Sequence, residues 1–125
     1  MQTCWCDSGS AAADCCEPFL SRSAYPRTAE QLMRARYSAF VTQNADFLRA
    51  SWHPATCPAS LQFNPDQRWL GLKILATDKG GAQDDEGEVR FAARYKIHGK
   101  GHRQEETSSF SRLADKWVYV GGVVK

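Results

Sequence analysis

The chain has 125 residues, of which 42% are hydrophobic, and this suits one compact domain with a small appendage. With 16 basic and 14 acidic residues its net charge is +2, which is too small to indicate nucleic-acid binding through bulk electrostatics. The start of the chain lacks the features of a signal peptide and no run is long enough to span a membrane, so we expect a cytoplasmic protein without membrane contact.

The first predicted helix follows a connecting segment, residues 17–26, whose two prolines disfavour a continuous helix. Thr28 has the residue type of an N-cap, and Gln31 stands three residues later, as in a capping box. Apolar residues then recur at helical spacing. This pattern predicts a helix over 29–42.

A second, shorter helix is predicted after Asn44, with Phe47, Leu48 and Trp52 on its inner face. It should stop at Pro54, because the residue before a proline avoids helical geometry. Residues 57–68 have few periodic cues and predict a loop, with one helical turn over 59–63.

The second half of the chain changes to the period of two that is typical of strands. Polar or glycine-containing turns over 78–87, 99–101 and 114–116 divide it. The predicted antiparallel strands are 69–77, 89–97, 105–113 and 117–124. Helices followed by a run of strands predict an α+β domain with a bent sheet around the helices.

Four cysteines near the start of the chain form a Cys-x-Cys-x8-Cys-Cys pattern: Cys4, Cys6, Cys15 and Cys16. Turn-forming residues follow the first pair, and Gly9 permits the positive φ that a tight turn requires. Four thiolates can hold one tetrahedral zinc ion and leave no open position for water, which indicates a structural rather than a catalytic metal.

Disulfides or free thiols are the alternatives to zinc for these cysteines. Adjacent cysteines such as Cys15 and Cys16 rarely bridge each other without strain, and in a reducing compartment cysteine clusters bind metals more often than they form disulfides. Cys57 has no partner in the sequence, and we expect it to be a buried small hydrophobic residue.

With these residues laid out, the chain resembles the YchJ-like family of small bacterial proteins. The similarity lies in residues 32–40, 45–48, 52–54, 69–72 and 117–120 and in the phased Glu106, Ser108 and Phe110. It implies the cone-shaped fold of nuclear transport factor 2, in which a curved antiparallel sheet encloses a pocket roofed by helices.

The cysteine segment is similar to the SEC-C motif, and the four cysteines occupy its ligand positions. Trp5 replaces the usual proline, Asp7 the usual glycine, and residues 10–14 lack the usual basic and aromatic character. In SecA-type motifs that basic surface is associated with docking to a chaperone or the ribosome. The resemblance implies a SEC-C-like zinc motif over 1–20 and a nuclear-transport-factor-2-like domain over 21–125.

The leading hypothesis for function is a non-enzymatic adaptor or binding module linked to protein synthesis or export. It would contact a protein partner through the zinc knuckle, where Trp5 either anchors that contact or packs on the main domain. Because sheets of this fold often pair, a homodimer is also expected. Redox sensing by the thiols is a third hypothesis, since oxidation of zinc-bound thiolates releases the metal.

The alternative hypothesis is a small-molecule-binding protein, or an isomerase-like or dehydratase-like enzyme, that uses the cone pocket. Its candidate residues are Tyr37, Asp46, His53, Trp69, Arg94 and Glu106. His53 is either an acid-base group or a helix-end residue held by local hydrogen bonds. A buried Glu106 needs a partner, for which Arg36 and Arg94 are the candidates.

Overall fold

Four consecutive strands form one antiparallel meander in which each strand pairs with the next along the chain. The computed structural model describes residues 2–124, and it bounds these strands as Gln67–Lys79 (β1), Glu86–Ile97 (β2), Lys100–Leu113 (β3) and Lys116–Val124 (β4). The predicted α+β fold is confirmed. β1 extends beyond both ends of the predicted segment.

Two-residue turns join the last three strands. His98 and Gly99 have φ values of 52° and 77°, and Ala114 and Asp115 have values of 52° and 66°. Positive φ at both central residues is the type I′ pattern, whose twist matches that of the flanking strands. The β2–β3 turn therefore has two residues, one fewer than the predicted turn over 99–101, because Lys100 and Gly101 already belong to β3.

Irregular pairing bends the sheet. The register between β1 and β2 shifts between Trp69 and Gly71 and again between Ile74 and Ala76, and the β3–β4 register shifts after Ser109. An extra residue on one strand increases the local twist. The sheet is thus curved, and its concave side can enclose side chains.

Three α-helices precede the sheet: Glu17–Leu20 (α1), Ala29–Thr42 (α2) and Ala45–Ala50 (α3). The predicted cap of α2 is confirmed, since Thr28 Oγ1 accepts a hydrogen bond from the Gln31 amide at 3.1 Å. Asn44 Oδ1 caps α3 in the same way by accepting one from the Phe47 amide at 3.0 Å. The segment before α2 was predicted to be a connection without continuous helix, and it contains only the single short helix α1. Pro18 lies in its first turn, where a proline is tolerated because no N–H is needed there.

The connection between α3 and β1 differs from the prediction. Residues 59–63 form no helical turn. Trp52 lies beyond the end of α3 and makes a parallel bridge to Tyr119 of β4. The Tyr119 amide donates to the Ser51 carbonyl at 2.7 Å, and the His53 amide donates to the Tyr119 carbonyl at 2.8 Å. The chain leaving α3 is therefore held against the sheet edge.

The core lies between α2 and the inner face of the sheet. It includes Leu32 and Leu48 from the helices and Val89, Phe110 and Trp117 from the strands. Three of the four N-terminal cysteines belong to the same buried cluster. The N-terminal segment is therefore packed on the domain. The boundary at residue 20 between a zinc-binding motif and the main domain stays a prediction.

Candidate metal centre and ligand pocket

A narrow backbone loop positions the four N-terminal cysteines. Thr3 bridges to Ala11, and the Cys4 amide donates to the Ser10 carbonyl at 2.8 Å. At the loop tip Gly9 has a φ of 87°, as predicted, and Asp7 has a φ of 64°. A glycine in place of Asp7, as in the usual motif, would adopt this left-handed conformation without steric cost.

The four sulfur atoms converge on one point. All Sγ atoms of Cys4, Cys6, Cys15 and Cys16 lie within 4.8 Å of one another, with 3.5 Å between Cys6 and Cys15 and 3.9 Å between Cys15 and Cys16. A tetrahedral ion with bonds of about 2.3 Å would separate its sulfur ligands by about 3.8 Å. All four are free thiols. The geometry fits a metal site.

The thiols of Cys6, Cys15 and Cys16 differ in how readily they ionise when no cation lies between them. A hydrogen bond with Cys16 lowers the pKa of Cys6, and the same hydrogen bond, together with burial, raises the pKa of Cys16. Burial also raises the pKa of Cys15. Cys6 thus ionises more readily than Cys15 and Cys16. A divalent ion favours ionisation of all these thiols, because it is attracted to every thiolate at once.

Polar groups from the loop and from α2 surround the cluster. Arg34 Nη1 donates to the Cys6 carbonyl oxygen at 3.1 Å and lies 3.8 Å from Cys6 Sγ. Ser8 Oγ lies 3.3 Å from Cys15 Sγ. Four thiolates around a divalent ion carry a net charge of −2, so the Arg34 guanidinium provides partial compensation.

Two other residues singled out in the sequence lie outside this cluster. Cys57 is half-buried rather than buried, and its Sγ lies 3.7 Å from the Pro58 carbonyl oxygen. Pro58 and its neighbours in the loop leave that thiol partly open to solvent. Trp5 is half-buried and packs against the main core, as one of its two interpretations predicted.

A cavity of about 350 Å³ lies between α2 and the concave face of the sheet. Its walls are largely aromatic. Trp69 contacts Tyr37 edge to face with 5.6 Å between ring centroids, and it lies 6.0 Å from the ring of Phe40. Phe63 and Phe91 also contribute to the lining. Such a concave, mostly apolar site is typical of small-molecule binding.

Three of the six pocket candidates line this cavity, namely Tyr37, Trp69 and Glu106. The other three, Asp46, His53 and Arg94, lie outside it.

Each of these three residues has a local reason for its position. Asp46 is in the first turn of α3, and its carbonyl accepts a hydrogen bond from Arg22 Nη2. His53 lies beyond the C-terminal end of α3, and its Nδ1 accepts a hydrogen bond from the Ala55 amide at 3.0 Å. Arg94 is exposed on the opposite face from its neighbours Ala93 and Tyr95, since side chains alternate along a strand.

Arg36 is a cavity residue that the sequence analysis considered only as a partner for Glu106. It is 3% exposed, and its Nη1 donates to the Leu48 carbonyl at 2.9 Å and to Ser51 Oγ at 2.8 Å. Burial lowers the pKa of Arg36 to about 10, so it remains charged at neutral pH. Its spacing from Met33 and Phe40 on α2 is the signal that places it on the inward face.

The expected ion pair of Glu106 with an arginine is absent from residues 2–124. Instead, Ser108 Oγ donates to Glu106 Oε2 at 2.8 Å. The two residues are two positions apart on β3 and therefore share a face of the sheet. Glu106 remains half-buried at the cavity wall, where a neutral hydroxyl rather than a cation is its hydrogen-bond partner.

A cone-shaped cavity under a helix and a packed four-cysteine loop define a nuclear-transport-factor-2-like domain with a SEC-C-type knuckle. The model of the YchJ middle, NTF2-like domain matches residues 28–122. A UPF0225 protein of Ralstonia nicotianae is 44% identical over 95% of this chain and 89% of its own length. One of Chromobacterium violaceum is 43% identical, with 97% and 92% covered. The chain belongs to the YchJ (UPF0225) family.

A solved structure extends the comparison to the whole chain. A SEC-C motif containing protein from Rhodopseudomonas palustris superposes with a TM-score of 0.85 at 26% identity, covering 98% of each chain. The predicted family and fold are therefore confirmed. The helices within residues 2–124 are all too short or too polar to cross a membrane.

Proposed function

We propose that this protein is a non-enzymatic small-molecule-binding protein in which the cysteine knuckle holds one structural zinc ion. The observation that carries the proposal is the aromatic cavity of about 350 Å³ with the buried Arg36 at its wall. The knuckle then stabilises the helix that roofs the cavity. The proposal includes a reducing compartment, the bacterial cytoplasm, because all five cysteines are free thiols.

Zinc is the metal that best suits the donor set. Four soft sulfur ligands in a tetrahedral arrangement are typical of zinc, whereas calcium and magnesium prefer oxygen ligands. A site with four protein ligands leaves no position for a reacting water. The role we assign to the ion is therefore structural: it would join the loop carrying Cys4 and Cys6 to the turn carrying Cys15 and Cys16.

The cavity is a better candidate binding site than the knuckle surface. The exposed tip of the knuckle, residues 7–10, consists of small or polar residues and offers no apolar anchor. Trp5, the one aromatic residue of the loop, packs on the core. Interface hot spots are enriched in exposed aromatic and arginine side chains. These observations favour a pocket ligand over a protein docked on the knuckle.

The lining of the cavity favours binding over catalysis. Among residues 2–124 the lining contains neither histidine, cysteine, lysine nor aspartate, and burial raises the pKa values of its two tyrosines, Tyr37 and Tyr119, further from neutral pH. Its only carboxylate, Glu106, already accepts a hydrogen bond from Ser108. General acid-base catalysis requires a proton-transfer group with access to the substrate, usually together with a second group of matched pKa.

Metal analysis and a ligand screen test the two parts of the proposal. We expect one zinc per chain in protein purified without added metal, and none in the Cys4→Ser/Cys6→Ser double variant. Cys57→Ser is the matched control and should retain zinc.

Small aromatic fragments should shift the amide NMR signals of Phe40, Trp69 and Phe91. The absence of zinc would refute the metal assignment, and shifts confined to other surfaces would refute the pocket.

A further inference from the structure

The guanidinium of Arg36 has unused hydrogen-bond donors in the cavity wall. Both of its hydrogen bonds involve Nη1, whereas Nε and Nη2 have no acceptor among residues 2–124. The carbon at the centre of the guanidinium lies 4.7 Å from the ring centroid of Trp52 and 4.4 Å from that of Tyr119. The two rings hold the guanidinium in place, but they supply no acceptor.

The charge of Arg36 is poorly compensated for such a buried group. No carboxylate within residues 2–124 forms an ion pair with it, and Glu106 on the same cavity wall attracts it only at longer range. Leu48 and Ser51 supply only neutral acceptors, and the aromatic faces supply a weak attraction. A buried charge is normally paired, because its loss of hydration is otherwise costly. Arg36 therefore presents a buried positive charge that an anionic ligand would neutralise.

A second donor near Arg36 also lacks an acceptor. The indole Nε1 of Trp52 is buried and has no hydrogen-bond partner among residues 2–124. Buried polar atoms without a partner are rare in native proteins, and a missing ligand is one of the recognised reasons for them. Donors without a protein acceptor therefore belong to two neighbouring cavity-lining residues, Arg36 and Trp52, and the one on Trp52 is fully buried.

We propose that Arg36 binds the carboxylate of a small aromatic carboxylic acid in the cone cavity. This inference rests on the proposed function and names the class of ligand. A guanidinium presents parallel N–H donors that match the two oxygens of a carboxylate. The aromatic body of the ligand would pack against Phe40, Phe63 and Trp69, and a volume of about 350 Å³ accommodates a small aromatic acid.

Glu106 adds a second element of selectivity. Its carboxylate lines the same cavity and repels an anion that lacks a hydrogen-bond donor of its own. A hydroxyl or amino group on the ligand would offset this repulsion by donating to Glu106. We therefore expect acids that also carry such a donor to bind more tightly than simple acids.

The test compares matched pairs of acids and neutral primary amides. The probes are indole-3-acetate, 1-naphthoate and 3-phenyllactate with their amides, titrated into the zinc-containing full chain and followed by amide NMR shifts. We expect each acid to bind at least tenfold more tightly than its amide. Arg36→Gln should abolish that preference, and Arg68→Gln, at an exposed arginine of β1, should preserve it.

A second variant keeps the test valid if Arg36→Gln fails to fold. Glu106→Gln removes the nearby negative charge and should raise the affinity for 1-naphthoate several-fold while leaving its amide unaffected. Equal binding of acids and amides at the cavity residues would overturn the carboxylate assignment and leave the pocket function intact. If no probe shifts those residues at millimolar concentration, both the assignment and the pocket function are refuted.

Discussion

Arg34 Nη1 contacts Cys6 at two atoms, the carbonyl oxygen at 3.1 Å and Sγ at 3.8 Å. The same guanidinium is held by Glu30 one turn earlier on α2, where Nε lies 3.1 Å from a carboxylate oxygen. Arg34 thus joins the helix that roofs the cavity to one of the candidate zinc ligands.

We expect Arg34→Gln to weaken zinc binding about 10-fold to 100-fold, because outer groups of a metal site typically contribute this much. Glutamine retains a hydrogen-bond donor but loses the positive charge beside the thiolates. Competition with a chromophoric chelator measures the change. Arg68→Gln is the control, and an unchanged zinc affinity in Arg34→Gln would limit Arg34 to packing.

Removal of zinc should destabilise the whole domain. Cys4, Cys6 and Cys16 are buried in the same cluster as Leu32, so loss of the ion loosens the core as well as the loop. A ligand present at 100 to 1,000 times its dissociation constant stabilises a fold by about 3 to 4 kcal/mol. For a chain of this size we expect the melting temperature to fall by about 10 °C on chelation.

Circular dichroism melting with and without a chelator makes this measurement. The Cys4→Ser/Cys6→Ser variant is the reference, because a chelator should not change its melting temperature further. An identical melting temperature for the zinc-containing and chelated wild-type protein would show that the knuckle contributes nothing to the stability of the domain.

Gly80→Ala should destabilise the fold by about 2 kcal/mol or more. A Cβ at Gly80 would lie 2.7 Å from the Cβ of Ala29, and its φ of 78° is unfavourable for alanine. Gly101→Ala is the matched control, since no heavy atom lies within 4 Å of its Cβ position. Urea unfolding of both variants gives the comparison, and equal losses would contradict the close contact between the β1–β2 turn and α2.

Tyr37 should make stability depend on pH in alkaline solution. Burial, and next the charge of Asp7, raises the pKa of Tyr37 to about 12, whereas an unfolded tyrosine titrates near 10. Above about pH 10 the unfolded chain releases this proton more readily than the folded chain, so stability falls as the pH rises toward 12.

Unfolding free energies measured across pH 9 to 12 test this expectation. Tyr37→Phe should reduce the alkaline loss of stability. Tyr25→Phe is a suitable control because Tyr25 is 55% exposed. If Tyr37→Phe retains the full slope of the wild-type protein, the phenol of Tyr37 titrates normally and is not held in its neutral form by burial.

Local sequence signals predicted most elements of the fold. Thr28 and Asn44 mark the starts of α2 and α3, because a cap depends only on residues within one helical turn. The cysteine spacing predicted one cluster for the same reason, since Gly9 and its neighbours close the loop locally. The helical turn over 59–63 was wrong because that segment has no periodic pattern to determine its structure.

The chemistry of the cavity could not be predicted from local spacing. Arg36 lies between Trp52 and Tyr119 because the chain leaving α3 crosses to β4, a contact between residues 67 positions apart. Neither motif nor periodicity encodes such a crossing. His53 was attractive as a candidate for its residue type, yet the same crossing places it outside the cavity.

The two backbone hydrogen bonds of Tyr119, one donated to the Ser51 carbonyl and one accepted from the His53 amide, also limit how two copies of this chain could associate. Both backbone polar groups of Tyr119 on the outer side of β4 are occupied within the chain. A strand from a second molecule could not continue the ladder at that position, and an edge closed in this way resists uncontrolled strand addition. A homodimer that pairs sheet edges would therefore have to avoid this part of β4, and β1 is the other edge of the sheet.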